Sequence, residues 1–323
     1  MSTLLISRSQ VEEYLNTNEL LSLLKKGFKL YSTFKNFFPN GRYVSPLGPN
    51  QNNSAAVLFP GYIPEIPAYS VKINSKFPGQ NPSITGLIQL FDIHTGQLLA
   101  IMDSSYITAV RTGLSISIGT DILAEKSANS VAIIGAGTQG SLQLKSLMKL
   151  RKIERAFVYD VNPNQSNNFA KALEGEVRIP IKVCSSVQNA IKDTRIIITA
   201  TWAREPFIFS NMLIPGTHIT TLGPDQPGKC EIDGEIIKNS LFVCDDKKLA
   251  VEMGAVGGAG LTEGVIDAEL GDLLNGNHNG RTKADQTTVF GAVGLPFQDL
   301  AAAWIVYTAI LKAKRGQTFN FLD

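Results

Sequence analysis

The spacing of apolar positions follows one pattern up to about Ser127 and another beyond it. In the first stretch Val11, Tyr14, Leu15, Leu20, Leu23, Leu24 and Phe28 recur at helical spacing. They predict an amphipathic helix over 9–35, with 16–18 as the place where it can break. Residues 36–53, rich in Asn, Pro and Gly, read as loop with room for one short strand. Four β-type runs follow, 55–59, 68–74, 85–92 and 98–103, separated by Pro60-Gly61, Pro78-Gly79 and Thr95-Gly96. They predict an antiparallel sheet. A helix over 105–125 carries Ala109, Leu114, Ile118 and Leu123.

Past Ser127 short apolar runs alternate with helical stretches. The run 131–134 ends in Gly135-Ala136-Gly137, and a helix follows to about 150. Strands are predicted at 156–159, 181–183, 196–201, 218–222 and 241–244, with helices near 164–174 and 186–192. Strands alternating with helices imply a parallel, doubly wound sheet. An apolar-rich helix over 300–314 ends the pattern and can return to the first region. The fold class expected is α/β: a Rossmann doubly wound parallel sheet plus a smaller α+β domain. The expected boundaries are 1–118 with 297–323 for the smaller domain, and 119–296 for the Rossmann domain.

Composition narrows the function. The chain has 323 residues, 44% hydrophobic and 18% charged, with 30 basic against 28 acidic side chains. That hydrophobicity and near-neutral charge exclude disorder. The scattered charges leave no basic stripe for nucleic acid, and no apolar run is long enough to span a bilayer. The opening MSTLLISRSQVEEYL lacks the order of a signal peptide. Cys184, Cys230 and Cys244 show no CxxC spacing, which points to a reduced, cytoplasmic setting. His94, His218 and His278 lie far apart, so no metal site is expected from them.

Gly135-Ala136-Gly137-Thr138-Gln139-Gly140 is a GxGxxG match that follows an apolar strand and opens a helix. The first glycine permits the tight turn, the second the approach of backbone to a pyrophosphate, and the third close packing of helix on strand. The helix N-terminus then offers amides and partial positive charge. Asp160, twenty residues after Gly140, suits both ribose hydroxyls and would repel a 2′-phosphate; no Arg or Lys follows it at once. NAD is therefore expected over NADP. Elsewhere, Arg42 stands in a Gly/Pro-rich loop, Lys72 in an apolar strand and Arg111 at the start of a helix among small residues. Such cations are commonly snorkelled or paired with a carboxylate. Asp225 lies in Gly223-Pro224-Asp225-Gln226-Pro227-Gly228-Lys229, directly after a predicted strand. Ligands of doubly wound sheets bind at that end, although a plain turn with an N-cap aspartate reads the same way.

Taken in order, these segments carry a resemblance. Arg42, Val71-Lys72-Ile73-Asn74, the stretch Ile107-Thr108-Ala109-Val110-Arg111-Thr112-Gly113, the glycine loop, 223–229 with Glu231 and Asp233, and Thr287-Thr288-Val289-Phe290 resemble the ornithine cyclodeaminase/μ-crystallin family. That family includes archaeal-type alanine dehydrogenases and ketimine reductases. The resemblance implies a substrate-binding and dimerisation domain built from the N-terminal part and the C-terminal helix, a Rossmann domain between them, and a homodimer. It implies that Arg42 grips a substrate carboxylate, that Lys72 contacts substrate at the reacting centre and that Asp225 is the catalytic acid/base. Gly135, Gly137, Arg111, Thr112, Thr138, Gln139, Asp160, Thr201, Leu222 and Lys229 fall on cofactor-contacting positions, as does Ser83.

Two departures bear on substrate. Ornithine-type cyclodeaminases carry a glutamate where this chain has Val57, and a serine where it has Ala292. Conversely, μ-crystallin-like members lack the aspartate present here as Asp225. The expected activity is NAD-dependent oxidoreduction of an α-amino acid/imino acid couple, either oxidative deamination or cyclic imine reduction. A cyclodeaminase-type lyase that recycles NAD, a non-catalytic ligand-binding protein, and a dehydrogenase that cleaves an amino-acid conjugate are the alternatives. The expected partner is a small amino, keto or imino acid.

Overall fold

The computed structural model describes residues 2–35, 43–47, 54–77, 79–80, 82–225 and 227–321. It comprises two compact units, one of Met1–Thr112 with Leu295–Asp323, the other of Gly113–Gly294. The chain starts with β1 (Thr3–Ile6), α1 (Arg8–Tyr14) and α2 (Thr17–Thr33). Strands β2 (Tyr43–Pro46), β3 (Ala55–Gly61), β4 (Ala68–Lys76), β5 (Ile84–Asp92) and β6 (Leu98–Asp103) follow, then α3 (Ser105–Leu123). The second unit continues with β7 (Ser130–Ile134), α4 (Thr138–Met148), β8 (Arg155–Tyr159), α5 (Pro163–Val177), β9 (Ile181–Val183) and α6 (Val187–Ile191). It goes on through β10 (Ile196–Thr199), β11 (His218–Thr221), α7 (Gly234–Lys238), β12 (Leu241–Cys244), α8 (Lys247–Glu252) and α9 (Ala255–Gly258). It ends with β13 (Ala268–Glu269), α10 (Leu270–Asn275) and β14 (Thr288–Gly291); α11 (Pro296–Ala313) and β15 (Gln317–Phe319) belong to the first unit.

The single helix predicted over 9–35 is two. Asn16 Oδ1 accepts from the amides of Asn18 and Glu19, so it caps α2 and ends the run from α1. Ser7 and Gln10 form a capping box at the start of α1. Four strands lay outside the sequence reading: β13 and β14 in the second unit and, in the first, β1, which pairs parallel with β6, and β15, which pairs antiparallel with β1. The order of this seven-stranded sheet is β15-β1-β6-β5-β4-β3-β2. The rest of it is antiparallel, as the alternating runs predicted.

Alternation assigns the two faces of that sheet. Val57, Phe59, Ile88, Leu90, Ala100 and Met102 are buried on one face. α11 packs across β3, β4 and β5 there, and α2 packs on α11. Phe297 meets Phe28 edge-on at 5.2 Å, and Gly27 leaves the space that ring needs, since a Cβ there would stand 2.4 Å from it. Replacing Phe297 by Ala in such a site costs about 3–5 kcal/mol.

In the second unit every strand pair is parallel, in the order β13-β12-β14-β11-β10-β7-β8-β9. The order reverses between β7 and β10, which is the switch point where such sheets bind ligands. Two deep polar groups are structural. His218 is fully buried between Thr288 and Thr220, each 2.8 Å from a ring nitrogen, and burial holds its pKa well below the usual value. Asp245 accepts from the amides of Val293 and Gly294, and burial pushes its pKa up to about 6. Among the described residues no helix is long and apolar enough to cross a membrane.

Candidate active site

The glycine loop joins β7 to α4 in the second unit. Gly135 has φ +104°, open only to glycine, and a Cβ there would stand 2.4 Å from the Ala200 carbonyl oxygen. A Cβ on Gly140 would stand 2.1 Å from the Gly135 oxygen, so that residue sets how closely helix and turn approach. Gly137 differs: nothing lies within 4 Å of where its Cβ would be. It is the N-cap of α4 and offers no side-chain cap, which leaves the first amides of the helix unsatisfied. Thr138 is exposed there, and the buried Gln139 Oε1 has no hydrogen-bond partner. Asp160, at the end of β8, accepts from the Ala136 amide at 2.8 Å and the Asn162 amide at 2.9 Å. One lone pair on each oxygen remains for ribose hydroxyls. The open glycine, the uncapped amides and the orphaned Gln139 oxygen fit a dinucleotide.

The neighbouring strand ends hold the second cluster. Strand β10 was predicted to reach 201 but stops at Thr199. The reason is Glu231, a fully buried carboxylate whose Oε1 accepts from the Thr201 amide (2.8 Å) and hydroxyl (2.7 Å). Its Oε2 accepts from Thr199 (2.6 Å), Thr221 (2.8 Å) and the Gly223 amide (2.9 Å). Leu222 sits between, its amide donating to the Thr199 carbonyl. Asp225 follows, and Lys229 Nζ reaches its Oδ1 at 2.7 Å and the Gly223 carbonyl at 3.3 Å. The Lys229 ammonium is buried and also stands 4.4 Å over the Trp202 ring.

The first unit brings Lys72 and Arg111 together. Lys72 points from β4 to the covered face, 1% exposed, with its Nζ 2.6 Å from Asp299, 3.3 Å from Thr108 Oγ1 and 4.4 Å over the Phe59 ring. Arg111 Nε donates to the other Asp299 oxygen at 3.0 Å, and its Nη1 donates to Gln298 at 2.6 Å. Asp299 lies in the first turn of α11, where the helix favours an anion. Two cations thus share one buried carboxylate. Thr112 is the next residue along α3 and is half-buried. Ser83 lies apart, in the turn beyond the Lys76–Ile84 pair, with its carbonyl accepting from Phe77; Lys72 pairs four rungs away with Ile88. Arg42 lies outside the described residues.

A model described as the ornithine cyclodeaminase/mu-crystallin family matches residues 1–314. The chain belongs to that family. Aligned over 332 positions and 99% of both chains, it is 30% identical to an alanine dehydrogenase from Archaeoglobus fulgidus. Its fold is similar to an archaeal alanine dehydrogenase dimer with bound NAD, with TM-score 0.92, 28% identity and 100% of each chain covered. It is also similar to Thermococcus litoralis Delta(1)-pyrroline-2-carboxylate reductase in complex with NADH and L-proline. There the TM-score is 0.90 at 31% identity, with 98% of this chain and 99% of that one covered.

Within this member of the ornithine cyclodeaminase/mu-crystallin family, Val57 is buried in a small apolar cluster with Ala55 and Phe59. Two acids had no assigned role in the sequence reading. Asp299 is the one carboxylate in an otherwise apolar helix, and that isolation was its signal. Glu231 stands between Cys230 and Ile232, an acid in an apolar setting, which was a weaker one.

Proposed function

We propose that this chain is an NAD-dependent oxidoreductase acting on an α-amino acid/α-imino acid couple, by oxidative deamination or by reduction of a cyclic imine. The observation that carries the reading is the Lys72–Asp299–Arg111 cluster. Its formal charge is one positive in excess, in a place with almost no water, and a substrate carboxylate is the matching anion. Family membership and the similarity to NAD- and NADH-bound dehydrogenase and reductase structures support the cofactor. When bound, the nicotinamide takes or gives the hydride at substrate Cα.

The side chains do the rest. Lys72 orients the carboxylate with Arg42. Asp225 takes the proton from the substrate nitrogen, or from water in the deamination direction, and returns it in reverse. Asp160 and the amides at Gly137 and Thr138 hold ribose and pyrophosphate. The apolar setting of Val57 favours this reading over an ornithine-type lyase, because it offers no carboxylate to a distal ammonium. Assay of NADH oxidation with keto acids plus ammonia, beside cyclic imines, tests the proposal. Turnover with one of these classes is the expected result. Ammonia release from ornithine or lysine without NADH accumulation would replace it with the lyase.

We also propose a homodimer. Directly paired residues share a face, so Tyr43, Leu58, Ile73 and Leu87 form an apolar row across β2–β5, on the side away from α11. Tyr43, Ile73 and Leu87 are 64%, 42% and 52% exposed. Sedimentation should show a dimer, and Ile73→Lys with Leu87→Lys should yield monomer.

A further inference from the structure

Glu231 is buried without a cation: among the described residues none lies within ion-pairing distance of it. Burying a lone carboxylate is expensive, and here neutral groups alone offset the expense. All of its donors come from two places, the end of β10 (Thr199, Thr201) and the end of β11 (Thr221, Gly223). Those are the two loops that carry Thr201, Leu222, Asp225 and Lys229. Gly223 is fitted to this acid, since a Cβ on it would stand 2.4 Å from the Glu231 carboxyl carbon. The Gly223 peptide is then held at both ends: its N–H by Glu231 and its C=O by Lys229, which also holds Asp225.

We infer that Glu231 is a positioning residue that ties the loops after β10 and β11 into one geometry and so presents Asp225 before any ligand arrives. The inference rests on the proposed role of Asp225, and its test is separable from it. Three variants are compared, Glu231→Gln, Thr221→Val and Thr221→Ser. The readouts are amide hydrogen exchange, NADH affinity from nucleotide fluorescence, and steady-state kinetics. A lost hydrogen bond to a charged group should change these by about tenfold or more.

Glu231→Gln should speed exchange at Thr201 and Gly223 while the amides of β7 and β8 keep their protection. NADH affinity should fall, and kcat should fall further than KM changes. Thr221→Val should move the same readouts less, and Thr221→Ser, which keeps the hydroxyl, should restore them. If Glu231→Gln fails to fold, the Thr221 pair decides. Equal behaviour of Thr221→Val and Thr221→Ser overturns the inference, as does uniform loss of protection across Gly113–Gly294 in Glu231→Gln. A wild-type protein that turns over no amino or imino acid would defeat the proposed function, while exchange at Thr201 and Gly223 would still judge Glu231.

Discussion

Asp299 in the first unit and Glu231 in the second are both carboxylates with almost no exposure, yet they are held in opposite ways. Asp299 is shared by two cations, Lys72 and Arg111. Glu231 is shared by hydroxyls and amides, none of them charged. The first arrangement suits the capture of an anion. The second suits the fixing of backbone, because each neutral donor is itself part of a strand end. Burial of a charge therefore says little about function until its partners are counted by sign.

The sharpest way to break this contrast is through Asp225, which is 30% exposed and paired with Lys229. Asp225→Asn should cut turnover about 10²–10⁴-fold and should also lower the melting temperature, since the buried Lys229 ammonium loses this carboxylate. Turnover near the wild-type value would remove its role in proton transfer. Next, Asp299→Asn leaves two buried cations facing each other and should cost about 3–5 kcal/mol in urea denaturation. Lys72→Met should cost less, since Asp299 and Arg111 then balance. Equal costs would mean that the charge surplus is not what matters there.

The third test is pH. Asp245, like Glu231, is held by neutral donors, and its folded pKa of about 6 lies above the unfolded value. The folded state therefore binds the extra proton. The stability Asp245 contributes is fully present below the unfolded carboxylate range and is lost as pH rises through about 6. Asp245→Asn should flatten that fall. His218 has the opposite sign, because its folded pKa is depressed. The unfolded state takes up the proton, so stability falls as pH drops below about 6.5, and His218→Gln should flatten that limb. Melting temperatures between pH 4 and 8 separate the two. The smallest expected effect is on the stability of Gly137→Ala, within about 0.5 kcal/mol, since the methyl meets open space. Its NADH affinity should nonetheless fall, because the methyl fills the place left for phosphate.

Strand alternation and the glycine loop made most of the fold legible, because both depend on local pattern. The strands β1 and β15 did not show, since each is short and exists only through a partner far along the chain. The break before α2 depended on one asparagine choosing to cap, which spacing alone could not decide. At the site, Lys72, Arg111 and Asp225 stood out as charges in unusual settings; Asp299, which Lys72 and Arg111 share, did not, and Lys229 was named as a cofactor contact rather than as the partner of Asp225. Asp299 lies 227 positions from Lys72, a pairing that no local window contains. Arg151 illustrates the converse. It is a buried cation paired with Asp121 and bonded to backbone carbonyls at and just past the end of α3, so it ties down the end of that helix.

The discontinuity of the first unit has a consequence for biosynthesis. Gly113–Gly294 is one unbroken stretch, so the ribosome can release a foldable second unit while the first still lacks α11. Domains commonly fold as units during synthesis. Until the segment after Gly294 emerges, Lys72 and Arg111 have no Asp299 to share, and β3, β4 and β5 lack the helix that packs across them. Chains stalled before that point should hold a formed nucleotide fold beside an unfinished, sticky partner, which is the species a chaperone would meet.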